Sequence, residues 1–318
     1  MELRVLRYFL AIAREESITG AAKALHISQP ALSRQMMELE EEIGKPLLRR
    51  GSRRITLTEE GRLLRERAED ILSLVRKTED ELSSSLDSLS GDIYLCAGET
   101  EAVHLLTDAA QALRKEYPDI RLHISSGDSL NVYSALDKGL ADFGLMFEQP
   151  DPHTYEFLRL PEEDRFGILM QQEDPLAQRE TIDLADLVSK PLIVQRSLLA
   201  MTNRTGWAEN YRDRSQLAHS ADLAVPGNQP EGWSDFLREA NIAGSYSLIY
   251  NASQMVRSGM GCALCFDKLL FLSRESGLCL RPLSVPWTAN AFLVWKRYHV
   301  FSRAAERYLQ ALRELIGR

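Results

Sequence analysis

Residues 17–42, SITGAAKALHISQPALSRQMMELEEE, constrain this chain more than any other stretch. They read as a short helix, a tight turn and a second helix whose first turn is crowded with small polar groups. Ser17 and Thr19 are cap-type residues ahead of the small-residue run GAAKAL. Ala21, Ala22 and Ala24 let this helix approach a neighbour closely, and His26 and Ile27 turn the chain. Ser28 is placed to cap the next helix. Pro30 sits in that helix's first turn, where a missing N–H costs nothing, and Gly44 is a stop residue. Leu32, Met36, Leu39 and Ile43 make its apolar stripe. Upstream, Leu3, Leu6, Phe9, Leu10 and Ala13 make the stripe of a first helix.

The residues left off that stripe carry the chemistry. Gln29, Ser33 and Arg34 lie within two turns and can share one exposed side. A Gln amide pairs in bidentate fashion with adenine, an Arg guanidinium with guanine, and a Ser hydroxyl with either base. Pro30 and Ala31 can touch thymine methyl groups. Helix-turn-helix proteins place a helix start in the major groove in this way. With Thr19 and Ser28 at the two helix starts, these residues form the candidate DNA-contacting set. For any one of them an ordinary solvated helix face competes; for the whole set that reading is weaker. The following segment, KPLLRRGSRRITLT, reads as a hairpin around RGSR. Lys45, Arg49, Arg50, Arg53 and Arg54 give it five positive charges with no acid among them. As a wing beside the helix, it would let Arg50, Arg53 and Arg54 hold phosphates or enter a narrow minor groove. A solubilising surface loop is the plainer alternative.

The run AAKALHISQPALSRQMMELEEEIGKPLLRRGSRRITLTEEG resembles the N-terminal signature of the LysR-type transcriptional regulators, ungapped over roughly sixty residues. The resemblance implies that Gln29, Ser33 and Arg34 stand at the family's base-reading helix positions and Arg53 at its wing arginine. Two positions depart from the pattern: Leu48 stands where the family usually has Phe, and Gly20 where a polar or small residue is usual. Neither removes a DNA contact. The operator sequence is not legible.

A length of 318 residues allows two or three domains, and 44% hydrophobic residues support real cores. The net charge of −8 looks wrong for a DNA binder. The first sixty residues, however, carry ten Lys/Arg against nine Asp/Glu, so the acidic excess lies in the remainder. Attraction to DNA is then local to the wing. No secretory signal or membrane-length apolar run is read, and Arg4, Arg7 and Arg14 interrupt the apolar start, so a cytoplasmic location is expected. Four cysteines suit a reducing compartment. Cys262 and Cys265 form C-x-x-C without a second pair or a nearby His; they read as two small apolar strand residues, with a redox switch as the alternative. No metal or cofactor is expected. There is no G-x-S-x-G, H-E-x-x-H or phosphate-binding glycine loop, and the six histidines are scattered, so no enzyme is expected.

A winged helix-turn-helix domain is therefore expected over 1–58, followed by a linker helix over 59–90. Leu64, Ala68, Ile71, Val75, Leu82 and Leu89 recur at spacings of three, four or seven, with Thr78 as a polar member. Pairing with a second chain is favoured over burial on the helix's own domain, since two half-sites need two heads. The family resemblance adds that such linkers pair and that DNA-bound forms are often tetramers. The serine-rich stretch 83–90 reads as a hinge.

From Asp92 the pattern becomes α/β. IYLCAG, IRLHISSG and ADFGLMF read as strands separated by helices, which implies a parallel βαβαβ unit. A second set includes FGILM, PLIVQ, a helix at 205–214, a strand at 217–222, SYSLIYN as a strand, helix SQMVRSG and strand GCALCF. AFLVWK and a terminal amphipathic helix follow. This order resembles the two-lobed, type II periplasmic-binding-protein-like effector domain of the same family. The expected domain is 91–318, with lobe I near 91–162 and 266–318, lobe II near 163–265, and crossings near 158–165 and 263–270. Ligands in such sheets sit beyond the carboxyl ends of strands. That selects Glu99, Thr100, Asp128, Ser129, Phe147, Gln195, Arg196, Ser197, Tyr250 and Asn251, each of which could instead merely cap a helix. Arg196 can clamp a carboxylate, and Glu99 facing it favours an amino or hydroxyl group. The expected partners are promoter DNA, a small effector that Arg196 would suit if it bears a carboxylate, further copies of the chain and RNA polymerase, with no membrane.

Overall fold

The computed structural model describes residues 1–51, 54–83, 89–200 and 231–317, in two compact units, Met1–Ser83 and Ser84–Arg318. Arg53, most of the serine-rich hinge, and the helix and strand read over 205–222 lie outside the described residues, as does the side chain of Arg50.

The first unit runs α1 (Leu3–Glu15), α2 (Ile18–Ala24), α3 (Gln29–Ile43), β1 (Leu48–Arg50), β2 (Ile55–Leu57) and α4 (Glu59–Ser83). The stripes read from sequence meet in one core. Phe9 and Ile12 of α1, Ala21 of α2, and Leu32, Met36 and Leu39 of α3 are buried together. Ser17 Oγ accepts from Gly20 N at 3.1 Å and Ser28 Oγ from Ala31 N at 3.3 Å, which satisfies donors that each helix start leaves free. His26 has φ +56, and Ile27 N donates to Ala22 O at 3.0 Å. This left-handed closure ends α2 and aims α3.

β1 and β2 pair antiparallel, Leu48 opposite Leu57 and Arg50 opposite Ile55. The hairpin is fixed at its base. Thr58 Oγ1 donates to Pro46 O at 2.8 Å and accepts from Gly61 N at 2.9 Å. A Cβ on Gly61 would lie 2.1 Å from Leu47 O, so only glycine lets α4 start this close to the wing.

The apolar seam of α4 is used differently from the expectation. Ala68 and Leu72 are buried against Leu6 of α1, with Leu64 and Ile71 packed beside them. The first half of the seam thus serves its own unit, because α1 offers a matching stripe one helix away. Leu89 packs on the core of the second unit and is not a seam residue. Leu63 and Leu74, eleven residues apart and so on one face, are the exposed leucines among the described side chains of α4.

The second unit opens β3 (Gly91–Ala97), α5 (Val103–Glu116), β4 (Ile120–Ser126), α6 (Ser129–Asp137), β5 (Phe143–Met146). β3 lies between β4 and β5, parallel to both, as the pattern implied. Then follow β6 (Tyr155–Gln171), α7 (Leu184–Leu187), β7 (Leu192–Gln195), α8 (Arg196–Ala200), α9 (Trp233–Glu239), β8 (Ile242–Tyr246), α10 (Ile249–Arg257), β9 (Cys262–Phe266), β10 (Leu278–Pro282), β11 (Thr288–Lys296) and α11 (Arg303–Ile316).

Two lobes share β6. Residues 155–165 of β6 pair with β11, which continues the order β4-β3-β5-β11-β6. Residues 166–171 pair with β9 and β10, and β9 leads on to β7 and β8. The first crossing is therefore one continuous strand. The return crossing differs from the expectation: it falls at 283–287, not 263–270. Leu278–Pro282 still pairs with Gln171–Gly167, because the free edge of β6 in lobe II needs a strand and LCL supplies apolar cover. Lobe I accordingly resumes near 288 rather than 266. The element read as strand SYSLIYN also shifts: β8 ends at Tyr246 and α10 starts at Ile249, which sends Ile249, Ala252, Ser253 and Val256 into the core at helical spacing.

Candidate nucleic-acid interface and ligand cleft

In the first unit Thr19, Ser28, Gln29, Pro30, Ala31 and Arg34 are exposed and Ser33 is half-buried. The stripe of α3 faces the core, and its first turn projects outward. Arg34 Nε lies 3.0 Å from Glu38 Oε1 on a side chain that is 79% exposed. Such an i,i+4 surface pair holds only a few tenths of a kcal/mol, so the guanidinium is free to exchange partners. Arg54, at the wing, lies 3.4 Å from Glu16 Oε2, and Ile55 N donates to Glu16 O at 2.8 Å.

One residue that sequence reasoning passed over joins wing to helix. Glu40 Oε1, on the inner side of α3, accepts from Leu47 N at 2.6 Å and Leu48 N at 3.0 Å. A carboxylate from α3 thereby fixes where the hairpin begins. The only sequence signal was an acid among acids, Glu38 and Glu40–Glu42, which marks no one of them.

In the second unit the selected residues gather where two lobes face. Asp128, the N-cap of α6 on lobe I, accepts from Asn131 N at 3.1 Å; its other oxygen lies 3.2 Å from Arg196 Nη2 at the start of α8 on lobe II. Glu99, after β3, crosses in the same direction: its Oε2 accepts from Ile249 N, the first N–H of α10, at 2.6 Å. A carboxylate at a helix N-terminus is the favourable sign for that dipole. Burial nevertheless holds the Glu99 carboxyl above its ordinary value, because lost hydration outweighs the single backbone donor. Arg196 therefore faces Asp128 and not Glu99. Two charge-assisted contacts hold the lobes together.

Behind them lie two more carboxyls. Ser129 Oγ donates to Glu148 Oε2 at 2.5 Å, and Glu148 is fully enclosed, which raises its pKa. Thr100 donates to Asp164 Oδ2 on β6, and Glu101 N donates to Asp164 Oδ1 at 3.2 Å; burial raises the Asp164 carboxyl as well. The Thr100 hydroxyl is thus committed to the crossing strand. Phe147 is buried against Phe266 at 4.7 Å between ring centres and forms a wall. Gln195 is half-buried at the end of β7, and Ser197 is buried in α8. Tyr250 and Asn251 lie inside the first turn of α10 rather than before it, and both are exposed, Tyr250 by 66%. The strand-end rule that selected Phe147 reaches Glu148 one residue later. Asp164 sits mid-strand, where no local signal marks it.

A model of the family described as "Bacterial regulatory helix-turn-helix protein, lysR family" matches residues 3–62. The family's "LysR substrate binding domain" model matches residues 86–317. This chain belongs to the LysR family. Among relatives it is 33% identical over 198 residues to the "Probable cat1 operon transcriptional activator" of Acinetobacter lwoffii; the match covers 61% of this chain and 64% of that protein. It is 29% identical over 195 residues to the "DNA-binding transcriptional dual regulator OxyR" of Escherichia coli strain K12, covering 61% and 63%. It is 28% identical over 195 residues to a "Hydrogen peroxide-inducible genes activator" of Pectobacterium carotovorum, where the matched stretch spans 61% of this chain and 64% of the relative. The chain thus spans just under two thirds of the length of these relatives. In fold it is similar to full-length CbnR complexed with its target DNA, with a TM-score of 0.69 and 18% identity over 99% of this chain and 100% of that one.

The geometry of β9 decides between the two readings of the C-x-x-C. Cys262 and Cys265 lie three apart on β9, so their side chains point to opposite faces of the sheet and enter different cores. Burial pushes the Cys262 thiol up to about 11 and Cys265 up to about 12. Neither is a thiolate near neutrality, and the two cannot bridge. The reading as apolar strand residues fits; the redox switch does not.

Proposed function

We propose that this LysR-family chain is a promoter-binding transcriptional regulator whose heads read double-stranded DNA and whose cleft takes a small effector. The observation that carries the reading is the outward first turn of α3: Gln29 and Arg34 are solvent-facing while Leu32 and Met36 on the same helix are fully buried. The proposed DNA-contacting residues are Thr19, Ser28, Gln29, Pro30, Ala31, Ser33 and Arg34, with Arg50, Arg53 and Arg54 on the wing. The proposed domain limits are 1–58 and 59–90 for head and linker, with the effector domain beyond. Exposed Leu63 and Leu74 on α4 supply a face for a second copy of the chain. The reading assigns no catalytic step and places the chain in the cytoplasm, where its DNA and RNA polymerase are.

The cleft chemistry refines the effector. Glu99 and Asp128 line it, with Glu148 enclosed behind Ser129, against the Arg196 guanidinium, which already holds Asp128. An effector bearing only a carboxylate meets repulsion there; one that presents ammonium or hydroxyl donors to Glu99 and Asp128 is favoured. Its binding shifts the lobes only through differential affinity for open and closed arrangements. Gel shift and fluorescence anisotropy on the chain's own promoter test the DNA reading. Gln29→Ala and Arg34→Ala should each cost about 1–3 kcal/mol on the cognate duplex and little on random DNA. Arg54→Ala should weaken both alike and lower the salt slope by about one. Indifference of the purified chain to duplexes at low salt would overturn it.

A further inference from the structure

One apolar side chain on α3 points away from the buried stripe. At about 100° per residue, the buried Leu32, Met36 and Leu39 fall between about 280° and 340° if Gln29 is set at zero. Ser33 then lies at about 40°, Pro30 at about 100° and Arg34 at about 140°. Met37 lies at about 80°, in the middle of that arc and about two turns beyond Gln29. It is 54% exposed. Ile43, the other exposed large apolar side chain of α3 among the described residues, instead ends the buried stripe beside Gly44. Packing within the first unit therefore does not account for an apolar residue at position 37.

The neighbours limit what Met37 can meet. Glu38, on the far side of Arg34, is engaged by two side chains: one oxygen accepts from Arg34 Nε at 3.0 Å and the other from Gln35 Nε2 at 2.6 Å. Glu41, one turn beyond Met37 on the same side of the helix, is exposed, and its charge repels duplex phosphates. A groove contact along this arc thus runs from Gln29 to Met37 and stops. A thioether side chain has no donor; what it presents is a flexible, polarisable apolar end. In the major groove the matching group is the 5-methyl of thymine, whereas cytosine presents an amino donor for which methionine has no strong acceptor. We propose that Met37 is a specificity-determining residue of the DNA interface and selects thymine by apolar contact with its methyl group. The inference rests on the proposed DNA reading of α3.

Helix geometry also places the contact. Eight residues of helix rise about 12 Å, against about 3.4 Å per base pair, so this thymine lies within about four base pairs of the base that Gln29 meets. Removing one methyl group from water is worth a factor of about four in affinity. The side chain belongs to no core, so its truncation leaves the fold intact.

The test uses the full chain and duplexes that it selects from a random-sequence pool. Each thymine of a selected half-site is replaced in turn by uracil, which lacks the 5-methyl and keeps every hydrogen-bonding group, and binding is read by fluorescence anisotropy. Wild type should bind about fourfold more weakly at one such position. Met37→Ala should bind the thymine duplex about fourfold more weakly and lose the response to uracil there, while responses at other thymines persist. Met37→Leu, still apolar, should keep part of that response. A thymine profile unaltered by Met37→Ala would overturn the proposal, and so would a changed oligomeric state in size-exclusion chromatography with that profile unaltered. Gln29→Ala and Arg34→Ala, which should change the selected sequence, report on the DNA reading separately. If they change it and Met37→Ala does not, the proposal alone falls; if none of the three does, the DNA reading falls and the proposal with it.

Discussion

The contact between Glu99 and Ile249 can be removed and read at a single atom. Ile249 is the first residue of α10, so its N–H has no partner within the helix and its hydrogen bond comes from the other lobe. A charge-assisted bond of this kind is worth about 1.5–3 kcal/mol, and the helix dipole adds a few tenths more. Half-burial of the carboxylate takes part of that back. A net contribution of about 1–2 kcal/mol to the closed arrangement remains, a factor of about 5–30 in its population. Glu99→Ala should therefore lower the hydrogen-exchange protection of the Ile249 amide by about that factor, with the amides of β9 unaffected. Glu99→Gln separates charge from hydrogen bond. Because burial raises the carboxyl's pKa in the closed form, closure is most favoured below the ordinary value of 4.5 and weakens as pH rises through the raised one. A neutral amide that keeps the acceptor should protect Ile249 at least as well as wild type at neutral pH. If Glu99→Ala left Ile249 protected, or Gln behaved like Ala, the interlobe contact would not be a latch.

Other consequences follow from the same structure. Glu40→Ala removes the acceptor for two wing amides and should cost about 2–3 kcal/mol in denaturant unfolding of the first unit, with Glu40→Gln costing less. Glu148 is a buried carboxyl with a raised pKa, so its ionisation opposes folding as pH climbs above 4.5. Glu148→Gln, which still accepts from Ser129, should raise the melting temperature at neutral pH and flatten its decline with pH; an unchanged pH profile would refute the assignment. His26 holds a left-handed conformation, so His26→Gly should be neutral or stabilising by up to about 1 kcal/mol in thermal melts, and His26→Val clearly destabilising.

Local pattern by itself determined the helix-turn-helix. Caps at Ser17 and Ser28, a stop at Gly44 and the 3.6-residue stripe of Leu32, Met36 and Leu39 fix α2 and α3 and leave Gln29 and Arg34 outside. The parallel βαβαβ unit was legible for the same reason: each strand and helix announces its own period, and strand ends choose Glu99, Asp128 and Arg196. Tertiary structure alone decided the pairings. Nothing near Glu40 in sequence says that it receives Leu47 and Leu48, and nothing near Glu99 says that it crosses to Ile249, 150 residues on. The return crossing moved to 283–287 because a free edge of β6 in lobe II recruited β10, a competition between distant strands. Half of the α4 seam went to α1, since an apolar stripe specifies that it will be covered but not by what. Short-range periodicity and capping are written residue by residue; which surfaces meet is settled only when the whole chain competes to bury them.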